Sequence, residues 1–193
     1  MARIYEMMVH LRESAEPMTQ EEFDIELEKH HKFINSGGAG GRWETFVTKG
    51  GMKEGSIFGV YVGTKGSEGE QLKLSHTNLE KLNLENTSLT YADLVGVLCR
   101  NQNLRNTDLT GSLSTDSDYS GSNFEGVDFS NADFSRSKMI NCDLSKANLT
   151  NTDMEDVDLT GSDLRGAILD GTRFKNTILE DVASDYEITA SNT

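Results

Sequence analysis

The sequence predicts a mainly β protein in which a helically wound β-solenoid follows a small N-terminal α+β head. The solenoid is predicted by an apolar residue at every fifth position from Leu74 to Leu179, and by the Asp or Asn that stands directly before most of these residues. The head is predicted because residues 1–68 lack this period and show helix and strand patterns instead. The chain therefore divides into a short mixed segment and a long repetitive one.

The five-residue spacing fits neither an α-helix nor a flat strand. Five helical residues at about 100° each turn about 140° net, so successive apolar residues would scatter around the helix. On a strand, an odd spacing sends successive side chains to opposite faces. A chain that turns a corner every five residues can aim every fifth side chain at one common axis, and the period therefore predicts a coil.

The repeat is nearly unbroken. Steps of five from Leu74 to Leu179 give 22 positions, which we call centres, and only Ser114 among them is a small polar residue. Most residues two positions before a centre are small, as Ala132 and Ala147 are, and the residue between is usually Asp or Asn. We call these the small position and the pre-centre position. Internal repetition of this kind outweighs local propensity in assigning a fold.

Three units show the motif most clearly: ADFSR at 132–136, ANLTN at 147–151 and SDLRG at 162–166. They resemble the repeats of the pentapeptide repeat proteins, whose pattern is A(D/N)LXX. The resemblance covers roughly residues 72–182. It implies a right-handed quadrilateral β-helix with four pentapeptides to a coil, so the 22 units would make about 5.5 coils. It also implies that the centre and the small residue point inward.

The sequence also indicates how the interior is filled. Four consecutive aromatic centres would occupy one complete layer of a four-sided coil: Tyr119, Phe124, Phe129 and Phe134. The previous layer contains the small centres Cys99 and Ser114, which would balance the volume of the rings. Residues 111–119 are the weakest part of the repeat, because a one-residue slip would put Leu113 inward in place of Ser114. We expect a bulge or loop there.

The head has its own signals. Thr19 and Glu22 form a capping box, and a helical apolar pattern follows over residues 20–35, ending at Gly37. Two strands are predicted within RWETFVTKG (42–50) and GSIFGVYVG (55–63), and RIYEMMVHL (3–11) is a candidate third. Solenoids need caps over their apolar ends. The head therefore either closes the N-terminal end of the rod or carries a binding site of its own.

These patterns predict a head at 1–68, a β-helix at 69–182 and a C-terminal tail at 183–193. The glycine-rich stretch SGGAGGRW (36–43) follows a helix instead of leading into one, so a connector is favoured over a phosphate-binding loop. No apolar run approaches the length of a membrane span and the first residues are not a signal peptide. A cytoplasmic location without membrane contact is expected. Cys99 and Cys142 would be buried thiols about 10 Å apart along the axis, too far for a disulfide.

No catalytic, cofactor or metal site is predicted. His30 and His31 are neighbours on a helix and point about 100° apart, which suits them poorly to one metal ion. His10 and His76 are isolated in the sequence. The pre-centre aspartates recur by pattern, and nothing in the sequence selects a pair of them as acid and base. We expect a protein that is not an enzyme.

Function is therefore expected at the outer surface of the rod. The formal net charge of −14 argues against direct nucleic-acid binding. One interpretation is a protein–protein interaction module or scaffold. The alternative comes from the resemblance, since some similar proteins mimic B-DNA and occupy the DNA site of gyrase or topoisomerase IV. A minor alternative is an ice-binding solenoid, suggested by hydroxyl residues spaced twenty apart: Thr90, Thr110, Ser130 and Thr150.

The period of twenty places one group of acidic residues on a single side of the rod. This candidate partner-binding face contains Asp93, Asp116, Asp133, Asp153, Glu155 and Asp156. Arg136 is the only basic residue placed among them, with Arg173 and Lys175 expected beyond the stretch. A basic protein partner, a topoisomerase among the candidates, would be attracted to it. At the C-terminal end, Tyr186 and Ile188 give thin cover, so either a short packed tail or an end-to-end homodimer with twofold symmetry is expected.

Overall fold

The computed structural model of the chain describes residues 16–36, 42–47, 57–62 and 71–188. Helix α1 spans Gln20–Asn35, strand β1 spans Arg42–Val47 and strand β2 spans Ile57–Val62. The two strands pair in an antiparallel sheet. The helix and both strands expected in the head are therefore confirmed. Gly37 and the candidate strand at 3–11 lie outside the described residues.

Helix α1 begins with the capping box that its sequence predicts. The Thr19 side chain accepts the N–H of Glu22 at 3.3 Å, and the Glu22 carboxylate accepts the N–H of Thr19 at 2.9 Å. These bonds hold the pKa of Glu22 below its ordinary value. One side of the helix buries Phe23, His30 and Phe33. The helix thus has a defined start and a single face that packs.

Residues 71–183 form a β-helix. Every pre-centre residue from Ser88 to Asp163 is joined to the residue twenty positions later by a parallel β-bridge. Four pentapeptides therefore complete one coil, and residues twenty apart stack along the rod. The β-helix and its four-sided coil agree with the expectation. Its right-handed winding stays a prediction.

Each pentapeptide turns one corner at the second residue after its centre. All corners from His76 to Asp181 except Lys81 have φ between 54° and 74°. In most units the N–H of the third residue after the centre donates to the centre carbonyl, as Ala132 does to Phe129 at 2.9 Å. A hydrogen-bonded turn with positive φ at its third residue favours Gly and Asn. Asn131 and Gly121 occupy such corners.

The interior of the rod is close-packed. Every centre from Leu74 to Leu164 is at most 1% exposed. The four aromatic centres form a closed ring of contacts, with centroid distances of 5.0 to 5.6 Å between neighbours. This confirms the predicted aromatic layer. At most small positions that carry a hydroxyl, it donates to a centre carbonyl of the previous coil, as Thr152 does to Phe129 at 2.8 Å; the buried Ser112 hydroxyl has no such partner.

The bulge or loop expected at residues 111–119 is not found, so that prediction was wrong. Ser114 stays inward and fully buried, and its N–H donates to Asp133 at 2.8 Å in the ordinary ladder. The Tyr119 hydroxyl donates to the Ser114 hydroxyl at 3.2 Å, so this small polar centre has a partner inside the rod. Leu113 is only 2% exposed at its pre-centre position, so a slip would gain no burial.

The two cysteines are free and buried, as predicted. Cys142 occupies a small position, and its thiol donates to the Tyr119 carbonyl at 3.2 Å. Burial raises the pKa of Cys142 to about 12 and raises the pKa of Cys99 as well. Neither thiol is available as a thiolate near neutral pH.

Helix α1 covers the N-terminal end of the rod. Phe23 is 1% exposed and belongs to the same core as the first centres. The N–H of Asn83 donates to the Gln20 side chain at 2.8 Å. His30 lies between the helix and the coil: its Nδ1 accepts the N–H of Leu72 at 3.0 Å, and its Nε2 lies 2.8 Å from the Thr90 carbonyl. The helix therefore supplies both apolar cover and hydrogen-bond partners, while the domain boundaries stay predictions.

Candidate interaction surfaces

The six predicted site residues lie on one side of the rod, which we call the first face. Its pre-centre column is formed by parallel bridges that run Asp93, Leu113, Asp133, Asp153, Arg173. Glu155 follows Asp153 on the same side. Asp116 and Asp156 occupy corners of this face, with Arg136 at the corner between them. The spacing of twenty thus brings together residues far apart in sequence.

The aspartates of the pre-centre column are fixed by the backbone. Each uses Oδ1 to accept the N–H two residues later: Asp93 from Val95 at 3.2 Å, Asp133 from Ser135 at 2.9 Å and Asp153 from Glu155 at 3.0 Å. These are Asx turns, which is why the motif places Asp or Asn here. The negative charge of this column is therefore partly explained by the Asx turns that the fold requires. Burial raises the pKa of Asp133 above its ordinary value.

Cations neutralise part of the first face. The Arg136 guanidinium donates to both carboxylate oxygens of Asp116, at 3.1 and 2.8 Å. Arg173 donates to Asp153 and to Glu155 at 2.7 Å each, and Lys175 also donates to Glu155. Hydrogen bonding from Lys175 keeps the pKa of Glu155 below its ordinary value. The sequence interpretation placed Arg173 and Lys175 beyond the acidic stretch, whereas the structure folds both onto it.

The face that carries the threonine ladder has a different character. Between Ser88 and Gly171 its outward positions hold the carboxylates Asp108, Asp128 and Asp170 and no Lys or Arg. The ladder hydroxyls bond within this face: Thr110 and Ser130 lie 3.5 Å apart, and Thr150 donates to Asn148 at 2.6 Å. A hydroxyl that bonds its own neighbour is less available to order water, which weakens the ice-binding interpretation.

No group of three or more His, Cys, Asp or Glu side chains suited to a metal ion occurs among the described residues. His30 is fully buried, and its two ring nitrogens are used in contacts with Leu72 and Thr90. Burial lowers its pKa to about 4. Its role in this structure is to attach α1 to the first coil. Across the described part of the chain, no helix has the length and hydropathy needed to span a bilayer.

One surface, at the C-terminal end of the rod, was not predicted from the sequence. Ile168 and Ile178 stand at pre-centre positions, where Asp or Asn is usual, and each is 50% exposed. Tyr186 is 64% exposed nearby. The signal was present, because an aliphatic residue at a pre-centre position breaks the motif and cannot form the Asx turn.

Comparison with known proteins agrees with the repeat geometry. The family model for pentapeptide repeats matches eight copies over residues 72–98, 115–145 and 142–181. The chain belongs to the pentapeptide repeat proteins. All three matched ranges lie within the β-helix, while the N-terminal head lies outside them. No curated protein matches the chain.

Several solved pentapeptide repeat proteins are similar to this one. Rfr23 from the cyanobacterium Cyanothece is 27% identical with a TM-score of 0.45, over 46% of this chain and 60% of that one. HetL, a protein involved in heterocyst differentiation regulation in a Nostoc cyanobacterium, is 26% identical with a TM-score of 0.29, over 63% and 61% of the two chains. QnrB1, a plasmid-mediated fluoroquinolone resistance protein, is 20% identical with a TM-score of 0.38, over 58% and 55%.

Proposed function

We propose that this pentapeptide repeat protein is a non-catalytic protein–protein interaction module that binds its partner through the first face of the β-helix. The partner-binding residues are Asp93, Asp116, Asp133, Asp153, Glu155 and Asp156. No cofactor, metal ion, membrane or direct nucleic-acid contact takes part. The proposal places the protein in the cytoplasm. The right-handed winding implied by the family resemblance stays a prediction, as does a short packed tail or an end-to-end homodimer at the thinly covered C-terminal end.

The observation that carries the proposal is the fixed spacing of the carboxylates. Asp133 and Asp153 stack as bridge partners one coil apart, and both are held by hydrogen bonds to the backbone. A side chain that is already ordered loses little conformational entropy when it binds. An ordered array of carboxylates on a rigid rod therefore suits a partner with basic groups at matching spacing.

The cations on this face favour a protein partner over simple mimicry of a uniform polyanion. Arg136, Arg173 and Lys175 interrupt the negative charge and are themselves held in ion pairs. Alternating charges can specify a register, because a shifted partner would place like charges opposite each other. This arrangement can therefore fix the position of a partner more specifically than a surface of one charge sign.

The alternative is a DNA mimic that binds DNA gyrase or topoisomerase IV and protects or inhibits it. The net charge of −14 and the rod shape support this alternative. The ion pairs on the first face count against it, since a duplex backbone carries no positive charge. A supercoiling assay with purified gyrase, and a decatenation assay with topoisomerase IV, would separate the two functions.

A charge-neutralising variant tests the first face. Asp133→Asn, Asp153→Asn, Glu155→Gln and Asp156→Asn together remove four negative charges, while each new Asn keeps the Oδ1 atom that the turns need. Asn also tolerates the positive φ of Asp156. We expect this variant to fold as the parent does, to bind the partner recovered by affinity purification from the source cell more weakly, and to show a smaller dependence of the association rate on salt.

A matched control removes the same charge elsewhere. Asp108, Asp128, Asp143 and Asp158 each cap a turn in the same way on other faces. Changing these four to Asn should lower the general negative field and leave the contacts of the first face intact. If both quadruple variants lose affinity equally, the first face is not the binding site and only net charge matters.

A further inference from the structure

The chain leaves the helical path shortly after its last bridge. Asp163 pairs with Ala183, and the Leu164 N–H donates to the Ala183 carbonyl at 2.7 Å. One corner later, the Gly166 N–H donates to the carboxylate of Asp185 at 2.7 Å, where earlier corners donate to a backbone carbonyl. Beyond that point, the strand at residues 167–171 faces no further strand among the described residues. We call it the terminal strand.

The terminal strand has an excess of donors. In the coil before it, the N–H groups of Leu149 and Asn151 donate to Ile168 and Asp170 at 2.8 Å each, while only the Ile168 N–H donates back, to Ala147 at 2.9 Å. Each unit thus directs two N–H groups and one carbonyl toward the C-terminal side. On the terminal strand these are the N–H groups of Leu169 and Gly171 and the carbonyl of Ala167, and neither N–H has a hydrogen-bond acceptor in the described part of the chain.

The same strand exposes apolar surface. Ile168 is 50% exposed, and Leu169 is the first centre from the N-terminal end that is not fully buried. Aliphatic residues at two other pre-centre positions, Leu98 and Leu113, are 1% and 2% exposed. An open cleft of about 600 Å³ lies beside the terminal strand, lined also by Tyr186 and Ile188. Unpaired edges with apolar side chains are sites where a further strand can add.

We propose that the terminal strand is a docking site for an extended segment of a partner protein, which adds as a parallel strand. Two of the segment's carbonyls accept the N–H groups of Leu169 and Gly171, and an aliphatic side chain between them covers Leu169. Such a segment resembles one unit of the repeat itself, with a small residue two positions before the aliphatic one. This site is separate from the first face, and neither proposal depends on the other.

A second copy of this chain fits the terminal strand less well. A twofold axis would place one donor-rich edge against another, so N–H groups would face N–H groups without acceptors. The complementary, carbonyl-rich edge at the N-terminal end is covered by α1. There, the Nε2 atom of His30 contacts the Thr90 carbonyl. An unrelated extended segment supplies the acceptors that neither end of a second copy offers.

The probe is a fluorescein-labelled peptide with the sequence of residues 145–153, SKANLTNTD. In the rod, the carbonyls of Asn148 and Thr150 accept the N–H groups of Phe129 and Asn131 at 2.8 and 2.9 Å. The peptide can offer the same two carbonyls to Leu169 and Gly171. We expect saturable binding by fluorescence anisotropy and slower amide exchange at Leu169 and Gly171 in NMR spectra. A peptide with Asp in place of its Leu should not bind.

Two variants of the protein locate the site. Ile168→Asp removes the exposed aliphatic side chain, and it should fold because Asp is the usual pre-centre residue and would restore the Asx turn. We expect it to weaken peptide binding roughly tenfold. Ile178→Asp makes the same change at an equally exposed position on another face and should leave the affinity unchanged. Equal loss in both variants would overturn the assignment to the terminal strand.

Three other results would also overturn it. The first is that the peptide does not bind at millimolar concentration. The second is that the amides of Leu169 and Gly171 exchange more slowly as the protein is concentrated, and that sedimentation equilibrium detects a dimer. This would show that a second copy occupies the edge. The third is that the two amides are already protected from exchange in dilute protein without peptide. This would show that the chain covers its own edge.

Discussion

The two ends of the β-helix are built differently although the repeat that forms them is the same. At the N-terminal end, Leu74 and Leu79 are 1% exposed because α1 lies over them with Phe23. At the C-terminal end, Leu169 and Leu179 occupy equivalent centres and remain partly exposed. An inward position is therefore not enough to bury a residue. Burial also depends on what covers the outermost coil: among the described residues only the N-terminal end is covered by a helix, and at the C-terminal end Phe174 is 3% exposed whereas Leu169 and Leu179 are less well covered.

The largest expected effect comes from removing the cover of the N-terminal end. Phe23→Ala deletes a buried ring and should lower the free energy of unfolding by about 3–5 kcal/mol in urea denaturation. Ile25→Ala on the same helix removes a side chain that is 50% exposed and should change stability by less than about 0.5 kcal/mol. Equal effects of the two substitutions would show that α1 does not cap the rod.

A second prediction compares equivalent centres in successive coils. Leu149 and Leu169 lie twenty residues apart on the same face, but Leu149 is fully buried. Leu149→Ala should cost about 2–5 kcal/mol, and Leu169→Ala roughly 1 kcal/mol, because less apolar area is lost where the side chain already contacts solvent. Urea denaturation of both variants gives the comparison. A Leu169→Ala cost as large as that of Leu149→Ala would mean that the C-terminal end is covered in solution.

A third prediction concerns the histidine that attaches the N-terminal cap. Burial lowers the pKa of His30 to about 4 from an ordinary value of 6.5, so the folded protein binds fewer protons than the unfolded chain between these values. The stability contributed by neutral His30 is therefore fully present above pH 6.5. It is lost as the pH falls toward 4, which lowers the free energy of unfolding by at most about 3 kcal/mol. Unfolding curves at pH 7.5 and 4.5 should show the loss.

The neighbouring histidine provides the control for this measurement. His30→Gln should be less stable at pH 7.5 and lose less stability on acidification, since the titrating group is gone. His31→Gln should keep most of the parent's acid dependence, because the exposed ring of His31 lies outside the contact with the first coil and its charge lowers the pKa of His30 less than burial does. The same acid dependence in both variants would assign the effect to carboxylates instead.

The smallest effect is expected from a single Asx turn. Asp128 accepts the Ser130 N–H at 2.8 Å and the Asn148 side-chain N–H at 3.1 Å, so Asp128→Ala should lower stability by about 1–2 kcal/mol, while Asp128→Asn keeps the acceptor and should be near neutral. Ile168 stands at a pre-centre position of the last coil and forms no such turn. Ile168→Ala should therefore lack this contribution. Thermal unfolding of the three variants checks the ranking, and a costly Asp128→Asn would point to charge instead of the turn.

The five-residue period predicted most of the rod. It identified the inward centres, because these depend only on how often the chain turns. The family resemblance added the four-sided coil, which predicted the aromatic layer and the stacking of residues twenty apart. The capping box of α1 was also predictable from the sequence, since Thr19 and Glu22 lie three residues apart. These features are local in sequence or repeat along it.

The parts that could not be predicted depend on contacts between units. Ser114 was expected to slip outward, but the Tyr119 hydroxyl from the next unit gives it a partner. Arg173 and Lys175 were placed beyond the acidic stretch because their carboxylate partners lie about one coil earlier. The positive φ of the corners was not predicted, although the recurrence of Asn and Gly at these positions indicates it. The partner-binding role of the first face stays a prediction.

The equal length of the four sides gives the rod a property that neither its core nor its surface shows alone. Deleting one pentapeptide between Asp133 and Asp153 would keep every later centre inward, yet it would rotate the part of the rod that follows by a quarter-turn about the axis. Asp153 would then stack on Asp128 instead of Asp133. Deleting four units would shorten the rod by about 4.8 Å and leave each face in line. Gain or loss of repeats can therefore rearrange the charge pattern of such a protein without a substitution at any core position that remains.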